Sequence, residues 1–209
     1  APGTAKDLAP TEVVATRNGP VRGYLEDRLG VFKGLRYGAP PVGLGRFKPP
    51  APPAAWTDPA QATAYGAPAI QSGLAPGERR TSPGDPPAPD EPASSEDCLF
   101  LNVWTPGLDQ GKRPVMVWLH GGGFANGSGG AAMYDGGALA RKGDVVTVTV
   151  NHRLNVFGYL HLGEVFGPDY ALSGSPACWT SSRRWNGCAT ISRRSAATPA
   201  TSPSSARAA

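Results

Sequence analysis

The chain has 209 residues, of which 40% are apolar and 17% are charged, and its net charge is +4. This length can bury one sizeable core, and the apolar content excludes a wholly disordered polymer. No apolar run approaches the roughly 20 residues that span a bilayer, which argues against a membrane span. The 28 glycines and 23 prolines predict abundant loops.

The first residues and the cysteines bear on the cellular compartment. Residues 1–5 are small, as in the stretch left when a signal peptide is removed, which favours a secreted or extracytoplasmic location without establishing it. Cys98, Cys178 and Cys188 have no zinc-type spacing, and their odd number leaves at least one thiol outside an intramolecular pair. The compartment stays open, and no metal or cofactor is indicated.

The N-terminal part predicts a small antiparallel meander after a flexible stretch at residues 1–10. Residues 12–16 and 21–25 favour strands, and Asn18-Gly19 between them is a hairpin turn signal. Prolines hold residues 39–53 extended, because proline fixes φ and donates no backbone hydrogen bond. Residues 73–96 are rich in Pro, Gly, Ser and charge, which predicts a mobile loop outside the core.

Three strong strands follow. Residues 99–104 and 144–151 are rich in β-formers, and residues 114–120 are a near-continuous apolar run that is typical of a strand buried on both faces. A helix is predicted around residues 136–142, which gives a β-loop-α-β unit.

The last 35 residues have a different composition. Ser, Ala, Thr and Arg predominate in residues 175–209, no acidic residue occurs after Asp169, and no apolar periodicity is visible. This segment predicts a disordered tail appended to an α/β domain over residues 11–174.

The motif that indicates chemistry is His120-Gly121-Gly122-Gly123-Phe124, directly after the predicted strand. Three successive glycines remove every Cβ, so the backbone can approach a substrate and direct successive N–H groups at one point. A strand that leads into such glycines is the arrangement of the oxyanion hole in lipases and esterases. An isolated glycine triplet is otherwise a flexible turn, and phosphate binding is disfavoured because no Gly-Lys-Ser/Thr follows.

Four stretches in this order resemble the type-B carboxylesterase/lipase family, the cholinesterase-like group of the α/β-hydrolase fold. They are residues 16–43, residues 46–56, the Glu-Asp-Cys-Leu-Phe-Leu-Asn-Val-Trp-Thr-Pro run at 96–106, and residues 117–124 with 148–160. The resemblance implies the N-terminal, incomplete part of an α/β-hydrolase fold, in which an antiparallel meander is followed by the first strands of a mainly parallel sheet.

The resemblance also implies roles for particular residues. Gly122 and Gly123 match the two backbone donors of the family's oxyanion hole, and Phe124 with Gly121 would line the substrate pocket. Arg46 and Glu96 match a structural ion pair, for which two solvated charges are the alternative. The family's counterpart of Cys98 pairs with an upstream cysteine. This chain has none before Cys98, so that disulfide is not expected.

The 209 residues contain no catalytic nucleophile of the expected kind. The fold needs a Gly-x-Ser-x-Gly elbow followed by an acid and a histidine. The nearest match, around Ser128, lacks the first glycine. Reading residues 177–209 one base out of frame permits the family's amphipathic helix, strand and elbow, with its serine across the codons of Arg207 and Ala208. We therefore interpret the tail as frameshifted.

The function indicated is hydrolysis of small-molecule carboxylic esters through an acyl-enzyme, with this chain inactive alone. The alternative is a non-catalytic binding or adhesion relative of the same fold. Nucleic-acid binding through the tail arginines is disfavoured, because no recognition motif accompanies them. The sequence does not indicate the ester or the oligomeric state.

Overall fold

The computed structural model describes residues 8–71, 87–109 and 111–174. The strands in these ranges are β1 Val14–Ala15, β2 Pro20–Arg22, β3 Tyr24–Glu26, β4 Leu29–Arg36, β5 Ala60–Gln61, β6 Phe100–Thr105, β7 Val115–Leu119 and β8 Val146–Val150. The helices are α1 Gly137–Gly143, α2 Asn155–Tyr159 and α3 Gly163–Phe166, with 3-10 helices at Gly43–Gly45, Ala132–Tyr134 and Pro168–Tyr170. The predictions for residues 1–7 and for the tail from 175 lie outside the described residues.

The larger sheet has five strands in the order β3-β4-β6-β8-β7. Neighbours are antiparallel from β3 to β8, and β7 runs parallel to β8. Strand β8 alternates valine and threonine and is buried throughout, because both faces of the sheet are covered there. Phe32, Val103 and Val148 pack on one face, and Val31 and Trp104 pack on the other with Ala140 of α1.

The crossover from β7 through α1 to β8 confirms the predicted β-loop-α-β unit. Helix α1 covers the sheet with the buried Ala140 and ends where Asp144 adopts the left-handed conformation, with φ of +48°. Its predicted bounds were one residue early at each end, which is the ordinary uncertainty of helix ends. Helices α2 and α3 were not predicted, since both are shorter than two turns.

The prediction that the β7 strand is buried on both faces was wrong. Met116, Val117, Trp118 and Leu119 are 43–49% exposed. In the described part of the chain β7 is the edge of the sheet and pairs only with β8. The apolar run therefore predicted the strand correctly but did not predict that its side chains are exposed.

The N-terminal hairpin is confirmed in shorter form. Val14 pairs with Val21 across an antiparallel turn that contains Asn18 and Gly19, and β5 adds a third, parallel strand. Order begins before residue 11, because the Leu25 amide donates to the Ala9 carbonyl at 2.8 Å.

The segment predicted as a coreless loop at 73–96 is partly core. Residues 72–86 lie outside the described ranges, but Ala88, Glu91 and Ser94 are buried. Ser128 donates a short hydrogen bond to the Glu91 carboxylate, which offsets part of the cost of burying it. Sequence composition predicted solvation here because it gives no sign of a partner 37 residues away.

Candidate oxyanion-hole site

The glycine loop begins where β7 ends and is exposed from Gly121 to Phe124. Gly122 and Gly123 have φ of +121° and +60°, a backbone region that residues with a Cβ rarely adopt. A Cβ on Gly122 would lie 2.1 Å from the Asn126 carbonyl oxygen, whereas one on Gly123 would meet nothing within 4 Å. A side chain at 122 is therefore opposed by both crowding and backbone conformation, and one at 123 would be strained by backbone conformation alone.

In the glycine loop the carbonyl oxygens of Gly121 and Gly122 accept hydrogen bonds, whereas the N–H groups of Gly122 and Gly123 do not donate any within the described residues. The Gly122 oxygen accepts from the amides of Ala125 and Asn126, both at 3.1 Å, and the Gly121 oxygen accepts from His120 Nδ1 at 2.9 Å. Within the described residues the N–H groups of Gly122 and Gly123 donate to no acceptor. Each peptide unit is planar and trans, so a held carbonyl directs its partner N–H to the opposite side. The loop thus presents two oriented, unused donors.

Phe124 continues the loop and is the residue expected to line the pocket. It is 67% exposed, and its ring meets that of Tyr159 edge-on at 4.9 Å. Its carbonyl accepts from the Asn155 amide at 2.7 Å, which ties the far end of the loop to the start of α2. Phe124 and Gly121 thus lie beside the two donors on an open surface, and their pocket role stays a prediction.

Gly127 ties the end of the glycine loop to the segment that contains Gln71. The Gln71 side chain exchanges two hydrogen bonds with the Gly127 backbone, at 2.9 and 3.0 Å. Gly127 is buried with φ of +116°, and because it has no Cβ the imidazole of His120 can lie against it.

Ser128 is a buried structural residue, in agreement with its failure to match a nucleophile motif. Its Oγ donates to Glu91 Oε1 and accepts from the Gly130 amide at 2.9 Å. Asn151, at the end of β8, accepts from the Gly129 amide at 2.7 Å through Oδ1. These side chains fix the backbone that follows the glycine loop.

Sequence reasoning missed Gln71, Glu91 and Asn151 as supports of the loop. Their partners lie 22 to 56 residues away, and no local pattern of residues indicates such pairs. Gln71 and Asn151 bind the backbone of residues 127 and 129, and Glu91 binds the Ser128 side chain between them, so the missed residues all act on the same short stretch.

The expected ion pair between Arg46 and Glu96 is formed. The guanidinium donates to both carboxylate oxygens, at 2.6 and 2.7 Å. Hydrogen bonding to Glu96 raises the pKa of Arg46 above its ordinary value. The pair ties residue 46 to the segment before β6, and its importance for folding stays a prediction.

Cys98 is a buried free thiol among the described residues. Burial raises its pKa to about 12. Ala69 packs in the same apolar cluster, so the described chain has a methyl group near the thiol and no second sulfur. Cys178 and Cys188 lie outside the described ranges.

The described histidines are not arranged as a catalytic base. His120 is buried and its ring stacks on that of His152, with centroids 4.4 Å apart and planes 9° apart. His161 lies elsewhere, against Gly163 and Gly174.

In the parts of the chain that are described, no helix is long and apolar enough to span a bilayer.

Strand order, crossover and glycine loop together define part of an α/β-hydrolase. A model of the carboxylesterase family matches residues 10–169. The chain is 43% identical over 151 residues to the para-nitrobenzyl esterase of Bacillus subtilis (strain 168), a match that covers 72% of this chain and 29% of that protein. It is 45% identical over 153 residues to the phenmedipham hydrolase of Pseudarthrobacter oxydans, covering 71% and 29%.

Comparison with solved structures also finds carboxylesterases. The crystal structure of a carboxylesterase from Geobacillus stearothermophilus matches with a TM-score of 0.70 and 44% identity, covering 81% of this chain and 32% of that one. The chain therefore belongs to the carboxylesterase family and has part of the α/β-hydrolase fold. It spans less than a third of the length of these curated relatives.

Proposed function

We propose that this chain supplies the oxyanion-hole part of a serine ester hydrolase, with Gly122 and Gly123 as donors. The observation that carries the proposal is a pair of adjacent N–H groups on an exposed, oriented loop, which have no acceptor among the residues that the structure describes. When a nucleophile attacks an ester, the carbonyl oxygen becomes an anion, and fixed amide donors stabilise it. Losing one such donor costs on the order of 3 kcal/mol of barrier.

The 209 residues contain no Gly-x-Ser-x-Gly elbow. We therefore expect the chain alone to turn over no p-nitrophenyl acetate beyond the background rate, because a hole without a nucleophile retains only binding and electrostatics. Turnover that a phosphonate abolishes would contradict this expectation, since it would require a reactive serine.

A chimera tests the proposed role of Gly122 and the glycine loop. Residues 10–169 replace the matching segment of the B. subtilis esterase, which then contributes the rest of its chain. We expect the chimera to hydrolyse p-nitrophenyl acetate. Gly122→Ala places a Cβ 2.1 Å from the Asn126 oxygen and displaces the loop, so kcat should fall about 10²- to 10³-fold with KM little changed.

Gly167→Ala is the matched control for the chimera. It introduces a side chain at φ of +84° but meets no atom within 4 Å, so it carries backbone strain without moving the loop. Equal losses of kcat in the two variants, or a full rate with Gly122→Ala, would refute the role of the loop.

We further propose that the nucleophile is missing because the reading frame is shifted within the codons of residues 177–209. Cys178-Trp179 then forces leucine, Trp179-Thr180 forces aspartate and Trp185-Asn186 forces glutamate, as the family's helix requires. Sequencing the gene tests this proposal, and an Asn186 codon other than AAT would contradict it, because tryptophan could not then follow the glutamate.

A further inference from the structure

We propose that His152 is a positioning residue for the oxyanion hole, acting through His120 on the direction of the Gly122 N–H group. The two imidazole rings stack with centroids 4.4 Å apart and planes 9° apart. The purpose assigned to the Gly122 amide rests on the proposed function, whereas its orientation is a property of this chain alone.

The first link is the hydrogen bond between His120 Nδ1 and the Gly121 oxygen, at 2.9 Å. A carbonyl oxygen only accepts, so Nδ1 must carry the proton. The Gly121 carbonyl and the Gly122 N–H belong to one planar, trans peptide unit and point to opposite sides. The position of the His120 ring therefore sets the direction of the Gly122 N–H.

The second link is what holds that ring. On one side is the Gly127 backbone, where an added Cβ would lie only 2.2 Å from His120 Nδ1. The His152 ring stacks against the face of the imidazole. Without this stacking partner the His120 side chain gains rotational freedom, and the Gly121–Gly122 peptide unit gains it as well.

The third link is the rigidity of His152 itself. It is the second residue after β8 and lies between the buried residues Asn151 and Arg153. Its own Nδ1 donates to the Arg153 carbonyl at 3.0 Å, and Arg153 donates through Nη1 to the Lys48 carbonyl at 2.8 Å. The stacking ring is thus held by the backbone that follows β8 and by its tie to the Lys48 segment, and not by the exposed glycine loop.

The test measures the direction of the N–H bond by NMR, using residual dipolar couplings of the ¹⁵N-labelled, weakly aligned 209-residue chain. His152→Leu keeps an apolar side chain but removes the flat ring, whereas His152→Phe restores the stack. We expect the Gly122 coupling in His152→Leu to change more than that of any residue outside 119–127. In His152→Phe it should return to the wild-type value.

His161→Leu provides the matched control, because it makes the same substitution at a histidine away from the loop. It should leave the Gly122 coupling unchanged. An unchanged coupling in His152→Leu, or a His152→Phe variant that behaves like His152→Leu, would overturn the proposal. The NMR test involves no ester hydrolysis, so it can fail while the chimera is active. It tests the orientation of the Gly122 N–H group, whereas the chimera tests whether that group takes part in catalysis.

Discussion

Gly127 shows how the absence of one Cβ determines the shape of the loop. A methyl group there would lie 2.2 Å from His120 Nδ1 and 2.5 Å from the Gly121 oxygen, at φ of +116°. We expect Gly127→Ala to lower the free energy of unfolding by about 3 kcal/mol, from strain and overpacking together. Urea unfolding measures this loss.

Gly167→Ala separates the two causes, because its φ is +84° and nothing lies within 4 Å of the added carbon. It should cost about 1 kcal/mol, from backbone strain alone. Similar losses in the two variants would show that crowding against His120 contributes nothing.

Cys98 should resist alkylation in the native protein. Its pKa of about 12 means that at pH 8 roughly one thiol in 10,000 is ionised, and the thiolate is the reactive form. Peptide mapping after iodoacetamide treatment should find Cys98 unmodified in native protein and fully modified in urea. Rapid modification without denaturant would contradict its burial.

At the residue scale, the sequence predicts Gly122 and Gly123 as donors, a role that stays a prediction, but it did not predict the side chains that support the loop from other segments. Gly122 and Gly123 were recognisable because a strand leads directly into three glycines, which is a local pattern. His152 and Asn151 act through contacts with residues 120 and 129. Such long-range contacts depend on the tertiary fold, which a local sequence pattern does not indicate.

At the element scale, strands were predictable where β-branched residues are continuous. Strand β8 reads Val-Thr-Val-Thr-Val, and its centre was found correctly. The eight-residue β4, the longest strand described, was missed because Gly30 and Gly34 interrupt its pattern. Gly34 has φ of +66° at an irregularity in the β4–β6 pairing, and its amide donates to Asn102 Oδ1 at 3.0 Å. The glycine thus marks a bulge and not the end of a strand.

Arg113 joins the segment before β7 to the end of α1, and this contact predicts a pH effect. Its guanidinium binds Asp109 and, at 2.7 Å, Asp144. Hydrogen bonding to Arg113 lowers the pKa of Asp109 to about 2. Because the folded-state pKa is the lower one, the contribution to stability is present above about pH 4 and is lost as the pH falls towards 2.

Carboxyl ¹³C shifts test this effect. At pH 3 the Asp109 carboxylate should be mostly ionised in the native protein and clearly more protonated in Arg113→Gln, which loses the guanidinium and keeps the hydrogen bond from the Gly111 amide. Equal protonation in the two proteins would show that the contact does not form in solution.

For the whole molecule, family and fold were predictable because the matching stretches run through residues 10–169 in one order. The cover of the sheet was not predictable in the same way. An apolar strand such as β7 indicates that it can be buried on both faces, but burial requires neighbours. The longer relatives, of which the match covers only 29%, have further chain with which to provide them.

The exposed side chains of β7 predict self-association of the chain. An apolar edge strand with unpaired backbone groups is a site for pairing with another molecule, and lysine on such an edge opposes this pairing. Val117→Lys should weaken association at least about tenfold, since it removes roughly 1.5 kcal/mol of apolar burial. Sedimentation velocity at increasing concentration measures the effect. Val165→Lys, at an exposed position in α3, should associate like the wild type, and a weakening as large as that of Val117→Lys would show that β7 is not the surface involved.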